Sequence, residues 1–572
     1  MIYKPAKRGG NPASAVAHTQ GGGVAMRCRR AWRAAGMLVL LVPAVTTLVV
    51  TVAGEAGAAT VTVCPSGCRF TQIGPAIAAA SAGDTITVAA GTYSGGFTID
   101  KTLNLAGAGK GSTIISGGGP VVTIGTFGAA SEPTVSITGV TITGGVTHSS
   151  PMSVPFFGHE GVFAAGGGIE IPPNAGFSGG ATVTVADSVI TGNRVAPTAT
   201  VPSGLACPGG SICPLAWAFG GGIDTWGAVT LTNTTLSDNQ VGGPVASDAD
   251  AGGIDSELGS LTLKDSTVTG NQAIASAPNG RFADTGGILA LFGTTLTIAG
   301  SLVSDNTARL STAFPDSVET NAGAGGIHIL GDDSCASPSS GCAVATISDS
   351  TIGGNSVTAT NSVGDAASFC GGICDDGSLL LRDSTVNTNH VTATVPTGSP
   401  AGASADSGGI GGGGVESITG TPITGNTVSA TAPAGVAFAS FGGGSSGDPD
   451  VVSTISDSLI SGNSVTAATS TGTVVLLGGG FGDLGRLEVR NTTISGNTGT
   501  ASGPAGTAHG GGIWNSPQGN LTLTDSFITR NTLTAGAGIG IQGGGLYTAG
   551  PVTLTNTKIN SNTPDNCFGA SC

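Results

Sequence analysis

Leu521-Thr522-Leu523-Thr524-Asp525-Ser526-Phe527-Ile528-Thr529-Arg530-Asn531 is the stretch that decides the fold. Leu521 and Leu523 alternate with threonine, so one face of an extended segment is apolar and the other polar but β-favouring. Asp525-Ser526 marks a bend, because both side chains can bond nearby backbone groups. Phe527 to Arg530 then forms a second strand that turns Ile528 inward and ends at Asn531. Gly543-Gly544-Gly545-Leu546-Tyr547 opens the next unit. Three short strands with bends between them make one turn of a parallel β-helix.

The unit recurs eleven times, closed by Asn193, Asn239, Asn271, Asn306, Asn355, Asn389, Asn426, Asn463, Asn497, Asn531 and Asn562. Successive closing asparagines are 31 to 49 residues apart, a period that marks a solenoid whose repeats share one continuous core. Coils stacked about 4.8 Å apart would put these asparagines in one column, each amide bonding its neighbours as a ladder. Gly-Gly-Ile tripeptides precede many units, as at Gly221-Gly222-Ile223 and Gly511-Gly512-Ile513. They are read as tight corners and not as phosphate loops, since no P-loop lysine or helix follows. The Ala/Thr/Ser/Pro-rich stretches between each Asn and the next Gly-Gly read as loops leaving one corner of the stack.

Composition agrees. Of 572 residues, 101 are glycine without a triplet period, which excludes collagen, and only 9% are charged, which argues against disorder. A 3.6-residue apolar period is nearly absent, so the chain is expected to be all-β. Residues 1–59 stand apart: Arg27, Arg29, Arg30 and Arg33 precede an apolar run and Ala56-Gly57-Ala58, the layout of a secretory signal cleaved near Ala58-Ala59. No membrane span is expected in the mature chain. Seven of the 19 basic and one of the 34 acidic residues lie before residue 60. That leaves 12 against 33, a balance of −21 that makes nucleic acid a poor partner. Ten cysteines fall into local pairs, expected as disulfides Cys64–Cys68, Cys207–Cys213, Cys335–Cys342, Cys370–Cys374 and Cys567–Cys572.

The expected organisation is a signal at 1–59, a cap and first coils at 60–150, repeats at 151–563 and a disulfide-closed end at 564–572. The one plausible mature helix, from Phe70 to Ala80, carries Ile73, Ala76, Ile77 and Ala80 on one side. It would plug the first coil, whose open edge would otherwise invite aggregation. Residues 70–117 run Gln-Ile-x3-Ile, Ala-Gly-Asp-Thr-Ile-x-Val-Ala-x-Gly-Thr-Tyr and Ile-Asp-Lys-x-Leu-x-Leu-x-Gly. They resemble the entry segment of the right-handed parallel β-helix superfamily that contains pectate lyases and pectin esterases. The later Gly-Gly-Gly-Ile and Ile-x-x-Asn motifs resemble repeats of the polymorphic outer-membrane protein family, and Thr563-Pro564-Asp565-Asn566-Cys567 looks like a closing motif of secreted proteins of this type. The resemblance implies a single-stranded right-handed β-helix in a secreted or cell-surface, adhesin-like protein.

The residue after the repeat isoleucine carries the chemistry. If that isoleucine points inward, Glu170, Asp224, Asp255 and His328 point outward in a column, with Glu257, Asp332, Asp333, Asp375 and Asp376 on or beside the same face. Asp255, Glu257, Asp375 and Asp376 form the set expected for Ca²⁺; no other cofactor is indicated. Asp224, Asp255, His328, Asp332, Asp333, Asp375 and Asp376 are the catalytic candidates, as carboxylates for glycoside hydrolysis or a lyase. Trp217, Trp226, Trp514 and Tyr547 are the residues able to stack on sugars. The plainer expectation is that the acids simply solvate a Gly/Thr surface. The polygalacturonase and pectin-esterase signatures are missing, apart from the Asp-Asp pairs at 332–333 and 375–376. A non-catalytic scaffold displaying loops to extracellular carbohydrate or protein is therefore the first expectation. A polysaccharide lyase or hydrolase, or a carbohydrate-binding protein, is the alternative.

Overall fold

The computed structural model describes residues 58–569 except 149, 155–158, 198–214, 247, 279, 314–319, 332–341 and 448–451. The expected signal segment lies almost wholly outside the described residues, as do Asp332 and Asp333. Each coil contributes one strand to each of several parallel sheets, so the chain is a single-stranded β-helix. The connections between successive parallel strands take the right-handed course that strand twist favours.

The coil expected to have three strands has five. After the asparagine come two more strands, and only then the Gly-Gly pair. One coil runs Asn520–Thr524, Phe527–Thr529, Thr532–Ala535, Ile539–Gln542 and Leu546–Thr548. These belong, in that order, to sheets I to V, of 15, 14, 11, 12 and 14 strands. The expectation of corner loops is thus overturned over most of the repeats. Segments such as Ser464–Ala468 and Thr473–Leu477 alternate Val and Ala, or Val and Leu, with polar or outward residues; Val465, Ala467, Val474 and Leu476 are fully buried. The small side chains disguise a strand as a loop composition, yet they suit two sheets packed closely together. One pair breaks the parallel rule: Ser150–Val154 is antiparallel to His159–Ala165 in sheet IV.

Two cores result. Sheets I, II and V enclose Ile, Leu and Val, while sheets III and IV enclose a mainly Ala/Val core. The chain passes between them twice per coil, once at the asparagine and once at the Gly-Gly pair. There the ladder forms as expected. Asn239 Oδ1 accepts the backbone N–H and the amide of Asn193 (3.1 and 3.0 Å). Its Nδ2 donates to the Ile190 carbonyl and to Asn271 Oδ1, both at 3.0 Å. The same pattern continues to Asn562, whose backbone N–H and amide donate to Asn566 Oδ1 at 3.1 and 3.4 Å. Asn566, in the Pro564-Asp565-Asn566 motif, therefore caps the column.

Opposite each asparagine sits a glycine. A β-carbon on Gly512 would lie 2.9 Å from Asn531 Nδ2 and 2.5 Å from the Gly545 carbonyl oxygen. The waist has room for the amide or for a side chain, and not for both. A hydroxyl ladder lines the bend between sheets I and II. The backbone N–H groups of Thr234, Ser266 and Ser301 donate to the hydroxyls of Ser266, Ser301 and Ser350 at 3.1–3.2 Å. The bend residue before each, such as Asp265 or Asp525, takes φ near +50°, which Asp and Asn tolerate best.

The helix Ile73–Ala79 packs Ile73, Ala76 and Ile77 on the first coil, as expected of a plug. Disulfides Cys64–Cys68 and Cys370–Cys374 are formed, with Cα–Cα separations of 5.7 and 5.2 Å. Cys342 and Cys567 are also disulfide-bonded. Cys335, Cys572 and the pair Cys207/Cys213 lie outside the described residues. Among the described residues no helix is long and apolar enough to cross a membrane.

Candidate functional site

The column on sheet V exists in register: Glu170 pairs with Asp224, Asp224 with Asp255, Asp255 with Leu289, Leu289 with His328, and His328 with Cys374. It is not the solvated face that the sequence suggests. Asp224 is 4%, Asp255 0%, Glu257 8% and His328 8% exposed, so these acids do not serve as a solubilising surface. Sheet IV is the reason. Its strands turn one face, including Ala249 and Ala283, into the second core, and alternation sends Asp248, Asp250 and Asp284 out of the other face. That face meets the outer face of sheet V, and the two together form a carboxyl-lined wall.

His328 ties the sheets together. Its Nδ1 lies 2.8 Å from Asp284 Oδ1 on sheet IV, and its Nε2 lies 3.3 Å from Asp376 Oδ2 in the next coil. Burial alone would push the imidazole down. The charges and hydrogen bonds of Asp284 and Asp376 outweigh it and hold His328 up to about 10, so both ring nitrogens carry protons at neutral pH. Burial raises Asp376 as well, but His328 and the Gly413 N–H pull it below the ordinary carboxylate range.

For the remaining carboxyls burial outweighs every group that favours the charged form. Asp224 is pushed up to about 8 by burial and by the charge of Glu170. Glu170, half-buried at the rim, rises to about 7 through burial, against a hydrogen bond with Thr123. Burial takes Asp248 to about 7 despite its bond from the Trp217 indole and the nearby Arg281 charge. Asp255 stands well above the ordinary range, first because it is buried and then because Glu257, Asp224, Asp250 and Asp284 surround it; Asp250 and Glu257 behave alike.

Both Asp255 oxygens lack a hydrogen-bond partner. A buried carboxylate without donors is stable only if it takes a proton or a cation. Asp224, Asp255 and Glu257 each offer an oxygen, and these lie within 4.8 Å of one another, a donor set that suits a hard oxygen-ligated cation such as Ca²⁺. Of the acids expected from sequence to hold Ca²⁺, Asp255 and Glu257 belong to this trio and Asp375 and Asp376 lie apart from it. Asp375 follows Cys374 on the strand Ile373–Asp375, so alternation points it into the main core, where it is 0% exposed. Asp376 is engaged by His328 instead.

Sequence reasoning placed Asp224, Asp255, Glu257, His328 and Asp376 on one face. It missed Asp248, Asp250 and Asp284. The signal lies in Asp248-Ala249-Asp250 and Phe282-Ala283-Asp284, where a small apolar residue alternates with outward ones, but stretches between an Asn and the next Gly-Gly read as loops from sequence alone. Of the four aromatic candidates, Trp217 does lie on the wall, beside Asp248 on the outer face of sheet IV with its indole bonded to that carboxyl, while the other three are packed on neighbouring rings. Trp514 packs on Phe441 (5.8 Å between ring centres), and Tyr547 is sandwiched between His509 at 4.2 Å and Phe568 at 5.4 Å. Trp226 meets Phe177 edge-on at 5.9 Å. Burial pushes His509 down to about 4, as its place in that stack requires.

No protein-family model matches the chain, and no curated protein matches it. Among solved structures, it is similar to the mannuronan C-5 epimerase AlgE6 A-module of Azotobacter vinelandii. That match has a TM-score of 0.25 and 13% identity, over 84% of this chain and 94% of that one. It is also similar to the AlgE4 A-module of the same organism, with a TM-score of 0.20 and 12% identity over 84% and 91%. The pectin methylesterase PemA from Erwinia chrysanthemi gives a TM-score of 0.21 and 14% identity over 51% and 78%. The fold assignment rests on the chain's own five sheets.

Proposed function

We propose that the protein acts on an extracellular polysaccharide laid along the wall between sheets IV and V, by acid–base chemistry of its carboxyl groups. The observation that carries this reading is a run of carboxyls in register along one wall, with Glu170 paired to Asp224 and Asp224 to Asp255 on successive coils. Glu170 and Asp224 both hold protons near neutral pH. Two coupled carboxyls one strand spacing apart, about 4.8 Å, form the pairing that glycosidic bond cleavage uses, whereas Asp376, held ionised by His328, lies several coils away. Glu170 at the half-buried rim is the donor best placed to reach a polymer, and burial, together with the Glu170 charge, keeps Asp224 behind it protonated. Asp284, His328 and Asp376 would position groups and stabilise developing positive charge. Asp224, Asp255 and Glu257 would hold Ca²⁺, which when bound would neutralise the wall and attract an acidic sugar. A rod-shaped stack suits a linear polymer: from the Glu170 coil to the Cys374 coil is five coil steps, about 24 Å at the sheet spacing. The formed disulfides fit an oxidising, extracellular setting.

Binding without turnover is the second reading, favoured by the complete burial of Asp255. A surface-display role loses its main support, because the acids assigned to solvation are buried. The test incubates the purified protein with acidic and neutral polysaccharides, with Ca²⁺ or chelator, and measures new chain ends and binding. Glu170→Gln is expected to remove turnover while leaving binding. Equal turnover in Glu170→Gln and wild type sinks the acid–base assignment, and absence of both turnover and binding across the panel sinks the polysaccharide reading.

A further inference from the structure

Buried acids occur a second time, on the inner side of sheets V and I, in the interior of the main core. Glu416 lies on the sheet I strand Val415–Thr419 at an inward position, in register with Leu379 of the preceding coil. It is 1% exposed, and neither carboxyl oxygen has a hydrogen-bond partner. Asp375 belongs to that preceding coil and points inward from sheet V. Its Oδ1 accepts the Gly377 N–H at 3.2 Å, and its Oδ2 has no partner. The two carboxyls feel each other, for the charge of Asp375 adds to burial in raising Glu416.

The chain leaves space around them. Gly411 to Gly414 cross this corner with no side chains, and a β-carbon on Gly414 would lie 2.6 Å from Asp375 Oδ2. In the following coil the inward positions are held by Ser446, 1% exposed and engaged with Asp483 of the next coil, and by Ser453 at 3%. Glu416 thus stands where sheet I carries Val229, Leu261, Leu379 or Leu487 in other coils, while Asp375 shares a sheet V position that is also polar at Thr225, Ser256, Asp483 and Asn515. Left alone and ionised, such a pair would be strongly destabilising, because neither charge would have a compensating partner.

We propose that Asp375 and Glu416 hold a hard divalent cation of the Ca²⁺ class inside the solenoid, its shell completed by water that also reaches Ser446. The site is structural: it pins sheet V to sheet I where the apolar core is interrupted. It is separate from the wall between sheets IV and V, and stands whether or not the wall is catalytic.

The test uses the full chain carrying Asp255→Asn, which disables the wall trio, compared with the same chain also carrying Glu416→Gln or Glu416→Leu. After chelation and dialysis, each is loaded with Ca²⁺ and assayed by elemental analysis and thermal unfolding. The Asp255→Asn protein is expected to retain about one equivalent of Ca²⁺, as a two-carboxylate site predicts, and to unfold at a higher temperature with Ca²⁺ than with chelator. Both Glu416 variants should lose that equivalent and the Ca²⁺-dependent shift, with Glu416→Leu the more stable of the two in chelator. Retention of the same equivalent in Glu416→Gln overturns the proposal. So does an Asp255→Asn protein that binds no cation and unfolds identically in Ca²⁺ and chelator, since the pair would then be neutralised by protons alone.

Discussion

Replacing Asn355 by alanine probes the ladder at its middle. Asn355 Oδ1 accepts the backbone N–H of Asn306 at 3.1 Å and its amide at 3.0 Å; Asn355 Nδ2 donates to the Val303 carbonyl and to Asn389 Oδ1, both at 3.0 Å. All lie at 0% exposure, so water does not replace what is lost. Alanine removes four hydrogen bonds and strands two donors of Asn306. At about 1–3 kcal/mol for each orphaned buried group, the expected loss is about 2–6 kcal/mol. A solenoid couples its repeats only through neighbours, so the defect should also loosen the two halves from each other. Urea unfolding followed by far-ultraviolet circular dichroism reads the loss. Hydrogen exchange reads its location, with the Asn306 amide among those that lose protection first. Asn520→Ala, at an exposed position in a strand, is the control and should stay within about 0.5 kcal/mol of wild type. If Asn355→Ala costs no more than the control, the column is packing without energetic weight, and the account of the waist is wrong.

Gly512→Ala tests the other side of the waist. The backbone there lies outside the left-handed region, so conformation permits alanine, yet the methyl would meet Asn531 and the Gly545 carbonyl. A loss of about 1–3 kcal/mol is expected, as for overpacking, and a stabilised variant in thermal unfolding would contradict it. The acidic wall also predicts a pH dependence. Asp224 has its folded value raised to about 8 from an ordinary 3.8, so folding takes up a proton between those limits. Its contribution is fully present below about pH 4 and is lost as the pH rises through about 8. In chelator the protein should therefore unfold at higher denaturant at pH 5 than at pH 8.5, and Asp224→Asn should flatten that slope. A slope of opposite sign, or one unchanged by the substitution, would show that Asp224 is not held protonated.

Much of the architecture is written locally. The alternation in Leu521-Thr522-Leu523, the bend at Asp525-Ser526 and the closing Asn531 each act over a few residues, and repetition makes them additive. The sequence therefore determined the solenoid, the ladder, the plug helix at Ile73–Ala79 and the column Glu170-Asp224-Asp255-His328. What it did not determine was on which side of a second sheet that column would lie. Val465, Ala467, Val474 and Leu476 are small or scattered enough to pass for loop residues, and only their pairing across coils shows that they close a second core. Once sheet IV is in place, Asp248, Asp250 and Asp284 arrive from a distant part of each coil and bury the column. The same holds for Asp375 and Glu416, which come together only when their coils stack. Burial is a property of what packs against a residue, and tertiary structure alone supplied that here, turning outward acids into a desolvated wall with altered proton affinity.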